Sequence, residues 1–242
     1  VHYCKDSEYG PYWSVTRYKD IMEIDGNWQD FSSEPAITIL EPEEDFPLPM
    51  FIAMDPPVHD EQRKTVQGSV APANLKLMEE TIRSRTQRVL DDLPIGEQFD
   101  WVDRVSIELT TQMLATLFDF PFEDRRKLTR WSDVATGDEE SGIVESEEAR
   151  QAELYECLEY FTRLWHEREE QGERNDLVSM LAQGEATKNM TPQEYLGNLI
   201  LLIVGGNDTT RNSMTGGVWV LNQNPGEYCL LYTSPSPRDL ST

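Results

Sequence analysis

The chain has 242 residues, 38% hydrophobic and 27% charged, which fits a soluble globular protein of one large or two small domains. Asp and Glu total 45 against 21 Lys and Arg, a net charge of −24, so neither nucleic acid nor an anionic membrane surface is expected as a direct partner. Three scattered cysteines (Cys4, Cys157, Cys229) and three histidines match neither a disulfide framework nor a metal cluster. With no signal peptide or membrane-spanning run visible, a cytoplasmic location is expected.

In chain order, Tyr12-Trp13-Ser14-Val15-Thr16 alternates and is rich in strand formers, so a strand is expected there, followed by a short helix over Asp20–Asp25. Residues 41–57 hold five prolines among acids and apolar residues. They read as an irregular loop, yet Phe46, Leu48, Met50 and Phe51 are too apolar to stay in water. Asp55-Pro56-Pro57 reads as a helix start, with a capping acid and proline at the first helical position. Helices are then expected near 57–70, 73–93, 103–118, 123–136, 147–170, 176–184 and 192–222, separated by breaks such as Ala71-Pro72, Pro94-Ile95-Gly96 and Gly137. The fold class is mainly α, with a small β part near the N-terminus. Asp138 to Glu159, with nine carboxylates and one arginine, reads as a solvated loop and helix face.

The last helix is the most informative. Thr191, Pro192 and Glu194 form a capping box with proline at its favoured place, and Asn224-Pro225 closes the pattern. About thirty residues at 1.5 Å each give a rod of roughly 45 Å, best read as a central helix buried on most sides. Its middle reads Val204-Gly205-Gly206-Asn207-Asp208-Thr209-Thr210. Each interior glycine costs about 1 kcal/mol relative to alanine, so the backbone there is expected to come close to something flat or bulky. An acid and a hydroxyl follow at once. A mid-helix threonine can bond a carbonyl one turn earlier or turn toward a ligand, and a neighbouring carboxylate can pass protons from solvent. The same glycines also suit close helix–helix packing, with Thr209 and Thr210 as ordinary polar residues.

A second constellation lies about 150 residues earlier. His59 and Arg63 are four apart on a helix, hence on one face, and together make a cradle for carboxylates.

Gly205-Gly206-x-Asp208-Thr209-Thr210 resembles the oxygen-activating groove of cytochromes P450, and Asp55-Pro56-Pro57 followed by His59 and Arg63 resembles that family's propionate-binding helix. Trp13-Ser14-Val15-Thr16-Arg17-Tyr18 and Phe31-Ser32-Ser33 are similar to its early strand, helix and turn. Met50 to Pro57 and Gly205 to Met214 look like the soluble bacterial alkane-hydroxylase P450s of class I. The resemblance covers residues 1 to about 225 and implies the N-terminal and middle portion of a P450 fold. It implies a heme cofactor with its iron, with Gly205 and Gly206 making room, His59 and Arg63 holding propionates, and Asp208 and Thr209 handling protons and oxygen. It also implies O2 as co-substrate, an apolar substrate hydroxylated at a chain terminus, and electrons from a ferredoxin and a flavin-dependent ferredoxin reductase.

The family's axial cysteine sits in a glycine-rich Phe-x-x-Gly loop downstream of the long helix. No such loop follows the long helix in this sequence, and the family's Glu-x-x-Arg helix is absent there too, so the chain reads as truncated after the long helix and is expected neither to bind heme in the native way nor to turn over. Residues 226–242 lack periodicity; they read as a disordered Ser/Pro tail or as translated sequencing-adapter read-through, apart from a partial P450 domain over 1–225. Two further readings stay open: a P450 acting on a terpene or steroid side chain, and a non-catalytic helical binding protein whose glycine pair packs helices.

Overall fold

The computed structural model describes residues 1–39, 45–137, 139–172 and 174–233. A short antiparallel hairpin pairs β1 (His2–Cys4) with β2 (Tyr12–Ser14), in the register Tyr3 opposite Trp13. The Tyr3 and Trp13 rings pack 4.7 Å apart, a cross-strand aromatic pair of the kind that stabilises such ribbons. The expected strand is therefore present, shorter than its alternation, and its partner lies in the opening residues. Helix α1 follows at Tyr18–Asp25.

The remaining helices are α2 (Val58–Gln67), α3 (Pro72–Asp91), α4 (Glu108–Phe118), α5 (Arg126–Thr136), α6 (Glu147–Glu169), α7 (Leu177–Gln183), α8 (Pro192–Gln223) and α9 (Glu227–Thr233). Each helix expected from periodicity is present to within a few residues. One departs in kind: Val102–Ile107, which leads into α4, is wound as a π-helix, its first turn capped by Asp100 through the Val102 amide at 2.8 Å. Helix α9 buries no residue, and residues 234–242 of the expected tail lie outside the described residues, as do residues 41–44 of the proline loop and Asp138 of the acidic run.

One apolar core joins α4 to α8. Phe118, Phe120, Trp131 and Phe161 meet edge-on or tilted with ring centres 5.3 to 6.1 Å apart, geometries favoured by the ring quadrupoles. Phe46 and Phe51 of the proline loop are buried in the same core, with Leu48 packed against it. The apolar residues of that loop thus leave water by lying across α8. At the crossing, a Cβ on Gly197 would run into the Pro49 carbonyl oxygen, so only glycine admits the loop there.

The capping box of α8 forms as expected, with the Glu194 amide on Thr191 Oγ1 at 3.2 Å and the Thr191 amide on Glu194 Oε2 at 2.8 Å. Its 32 residues span about 48 Å. The expectation that α8 is buried on most sides holds only for its N-terminal half. Beyond Asn207 no residue is fully buried, and Trp219 is 64% exposed. The reason lies in the sequence itself: apolar residues crowd between Tyr195 and Val204, whereas Asp208 to Ser213 is a polar run that no core accepts.

Candidate functional site

The glycine pair divides between two faces of α8. Gly206 points at α4: a Cβ there would sit 2.6 Å from Leu114 Cδ2, well inside van der Waals contact. Asn207 follows onto the same side, fully buried, with its Oδ1 2.8 Å from Thr110 Oγ1 of α4. Gly205 points the other way, and a Cβ added to it would meet nothing within 4 Å. Gly206 is a helix–helix contact, and Gly205 leaves an open strip of backbone.

Thr209 and Gly216 continue the open strip by their helical spacing from Gly205, and Gly216 too has open space around its would-be Cβ. Thr209 Oγ1 donates to the Gly205 carbonyl at 2.9 Å. With its proton so engaged, the hydroxyl presents lone pairs to whatever lies against Gly205. Asp208 sits at the border between the open strip and α5. Its Oδ1 accepts from Arg211 at 2.6 Å and from Asn212 at 3.2 Å, while among the described residues Oδ2 has no hydrogen-bond partner. Arg211 also reaches Asp133 on α5 at 2.8 Å, so one guanidinium bridges two carboxylates. Burial pulls the pKa of Arg211 down, but the bonds and charges of Asp133 and Asp208 outweigh that and hold it above the usual arginine value. Asp208 is thus positioned by a charge that stays on at any ordinary pH, with its side chain 31% exposed to solvent.

The second constellation stands on α2. His59 Nδ1 lies 2.9 Å from the Phe51 carbonyl, which makes Nδ1 the protonated nitrogen and leaves Nε2 available. Arg63, one turn later, is exposed and among the described residues has no hydrogen bond or ion pair. The helix does not begin as expected. Asp55 accepts from the Ser33 amide at 3.0 Å, and its pKa is held below the usual carboxylate value by Ser32 and Ser33 and then by His59. Pro57 is the N-cap, with no side-chain cap. Neither Pro56 nor Pro57 has an N–H, so a capping carboxylate at 55 finds few donors ahead of it and turns to the Phe31-Ser32-Ser33 turn instead.

No hydrogen bond or ion pair joins His59 or Arg63 directly to residues 205–209 among the described residues. The link between α2 and α8 is Asn198, which the sequence did not single out. Its Oδ1 accepts from the Phe51 amide at 2.9 Å, and its Nδ2 donates to the Glu194 carbonyl at 2.9 Å and approaches Gln62 Oε1 at 3.4 Å. Asn198 and Gln62 are both buried. One buried amide therefore fixes the segment carrying His59 and Arg63 against α8 two turns before Gly205. A lone asparagine inside an apolar run is the only trace of this in the sequence.

The residues present fit a flat, anionic prosthetic group in two respects. Gly205 offers a bare helix face, and Arg63 offers unpaired donors for its carboxylates, as does His59 Nε2 when the imidazole carries a second proton. The described cysteines offer no thiolate to match. Cys157 is fully buried in α6, and burial pushes its thiol well above the usual range; Cys4 and Cys229 lie in β1 and α9. Of the apolar residues flanking the two constellations, Phe51 is buried, Leu48, Met54, Leu201 and Leu202 pack against the core, and Ile52 is 38% exposed. No helix among the described residues is long and apolar enough to cross a membrane.

No family model matches the chain. It is similar to a solved structure, cytochrome P450-153 from Novosphingobium aromaticivorans, at 46% sequence identity and a TM-score of 0.82, over 97% of this chain and 60% of that one. Linalool 8-monooxygenase of Pseudomonas putida is 29% identical over 97% of this chain and 61% of its own length. Steroid C26-monooxygenase of Mycolicibacterium smegmatis is 29% identical over 94% of this chain and 54% of its own. The chain thus spans little more than half the length of these relatives.

Proposed function

We propose, for a chain that belongs to the cytochrome P450 family and carries the N-terminal and middle portion of its fold, a place in a heme-thiolate monooxygenase that hydroxylates an apolar chain. The observation that carries the proposal is the bare face of α8 at Gly205, with the Thr209 hydroxyl and the Asp208 carboxylate beside it. When bound, the heme supplies O2 activation and insertion of one oxygen atom into a C–H bond.

The chain's own residues then have separable tasks. Gly205 lets a planar group approach the helix without a side chain between. Arg63 and the protonated form of His59, through Nε2–H, donate to the propionate carboxylates. Asp208 takes protons from solvent at its free Oδ2, and Thr209 Oγ1 receives and passes them along the open strip. Arg211 holds the carboxylate at the entrance to that strip.

Substrates of this protein are medium-chain alkanes or fatty acyl termini, on the resemblance of Met50 to Pro57 and of Gly205 to Met214 to the alkane-hydroxylase type. Electrons come from a ferredoxin and its flavin-dependent reductase. A terpene or steroid side chain is the second reading, favoured by the names of two relatives, a linalool 8-monooxygenase and a steroid C26-monooxygenase. All these substrates offer an apolar end that must be selected by shape. The test is the reduced, CO-bound spectrum of the longer protein that includes this chain and of residues 1–242 alone, both expressed with a heme precursor. A red-shifted thiolate-type Soret band in the longer protein only is expected. The same band from residues 1–242, or its absence from both, overturns the proposal.

A further inference from the structure

Two arginines share a cleft with no carboxylate at ion-pair distance among the described residues. The cleft lies between α3 and α4, open to solvent, with a volume of about 440 Å³. Arg85 enters it from α3. Its Nη1 donates to the Gln112 carbonyl at 2.5 Å and to the Thr116 hydroxyl, which anchors the guanidinium on α4. Nε and Nη2 have no partner among the described residues. Arg88, three residues on and exposed, donates to Ser84 Oγ at 3.1 Å. Neither guanidinium has a carboxylate at ion-pair distance among the described residues. Burial, and then the charge of Arg88, hold the pKa of Arg85 below the usual arginine value, with no carboxylate offsetting them.

The rest of the lining is amphipathic. Thr81 and Ser84 bring hydroxyls, and Leu77 and Phe122 bring exposed apolar surface. The Phe122 ring centre lies 5.5 Å from the Arg85 guanidinium and 4.4 Å from that of Arg125, both cation–π distances. One carboxylate, Glu80, also lines the cleft. On the helix it is five residues before Arg85 and eight before Arg88, about 7.5 and 12 Å along the axis, so the positive end of the cleft is the one toward the end of α3.

We propose that the α3–α4 cleft binds a small organic oxyanion, its carboxylate or phosphate head held by Arg85 and Arg88 and its apolar body lying on Leu77 and Phe122. The unpaired Nε and Nη2 of Arg85 are two parallel donors, the fork that matches a carboxylate or phosphate bidentately. The site lies on elements other than α8 and α2 and does not depend on the monooxygenase assignment.

The test uses residues 1–242 labelled with 15N, following the arginine Nε–H signals at low ionic strength. The probes are inorganic phosphate, phenyl phosphate and hexanoate, the last two separating a phosphate from a carboxylate head. A saturable shift at Arg85 is expected with at least one of the organic anions, tighter than with inorganic phosphate. Arg85→Gln also loses the anchor on α4, so Arg88→Gln is the deciding variant. Removing one charge-assisted bond worth about 1.5–3 kcal/mol should weaken binding roughly ten- to a hundredfold. Leu77→Ala should weaken the organic anions and leave inorganic phosphate unchanged. Shifts that rise linearly without saturating, or an Arg88→Gln variant that binds as the parent does, overturn the proposal.

Discussion

Exchanging the two adjacent glycines for alanine, one at a time, should move stability in opposite directions. At Gly205 the new methyl meets nothing within 4 Å, so Gly205→Ala gains helix propensity of about 0.5–1 kcal/mol and loses no contact. At Gly206 the same propensity gain is opposed by a Cβ placed 2.6 Å from Leu114 Cδ2, about 1 Å inside an ordinary carbon contact. Leu114 is 2% exposed, so it can retreat only into filled core. Overpacking of this kind costs about 1–3 kcal/mol, which leaves Gly206→Ala destabilised by about 0–2 kcal/mol net. The two variants should therefore differ by about 1–3 kcal/mol. In a domain of this size each 1 kcal/mol is about 2–4 °C in Tm, so Gly205→Ala should melt above the parent and Gly206→Ala at or below it. Urea unfolding followed by circular dichroism gives the same comparison with free energies. Equal stabilisation by both alanines would refute the division of the pair between an open face and the α4 contact.

Asn198→Ala strips the Phe51 amide of its acceptor and frees α2 from α8, and a loss of about 2–4 kcal/mol is expected in chemical denaturation; a loss under about 0.5 kcal/mol would mean that the buried amide is not the tie described. Glu108 gives a pH-dependent prediction. Burial pulls its pKa up, but hydrogen bonds from Gln112 and Arg125 and the charges of Arg125 and Arg126 outweigh this, so in the folded chain it titrates below the usual glutamate value. A carboxylate with a lowered folded pKa stabilises fully above its unfolded value, about 4.3, and loses that contribution as pH falls through the folded value. Glu108→Gln should therefore be less stable than the parent at neutral pH, with the gap closing below about pH 4.3; a gap independent of pH would contradict the assigned pairing.

Much of the fold was legible because its signals are local. The capping box at Thr191 and Glu194, the periodicity of α3 and α6, and the glycine and proline breaks each act within a few residues, and each appears where expected. The π-helical turn at Val102–Ile107 was not legible, since its apolar spacing passes for ordinary helix. Asp55 misled for a different reason: a cap and a long-range partner compete for the same carboxylate, and the Ser33 amide 22 residues away won. At the candidate site the motif at 205–210 was plain, but which glycine faced which way was not. That depends on the rotational phase of α8 against α4, a property of packing. The roles of Asn198 and Gly197 depend on where a distant loop crosses the helix, which no local pattern records.

The central proposal is that Asp208 and Thr209 carry protons along the open strip of α8. It is tested most directly by Thr209→Ala in the longer, heme-loaded protein, measuring product and hydrogen peroxide formed per NADH or NADPH consumed with the ferredoxin and reductase present. Loss of the hydroxyl should leave electron consumption running, lower product per electron pair and release peroxide in its place. Unchanged coupling, with no added peroxide, would contradict the claim.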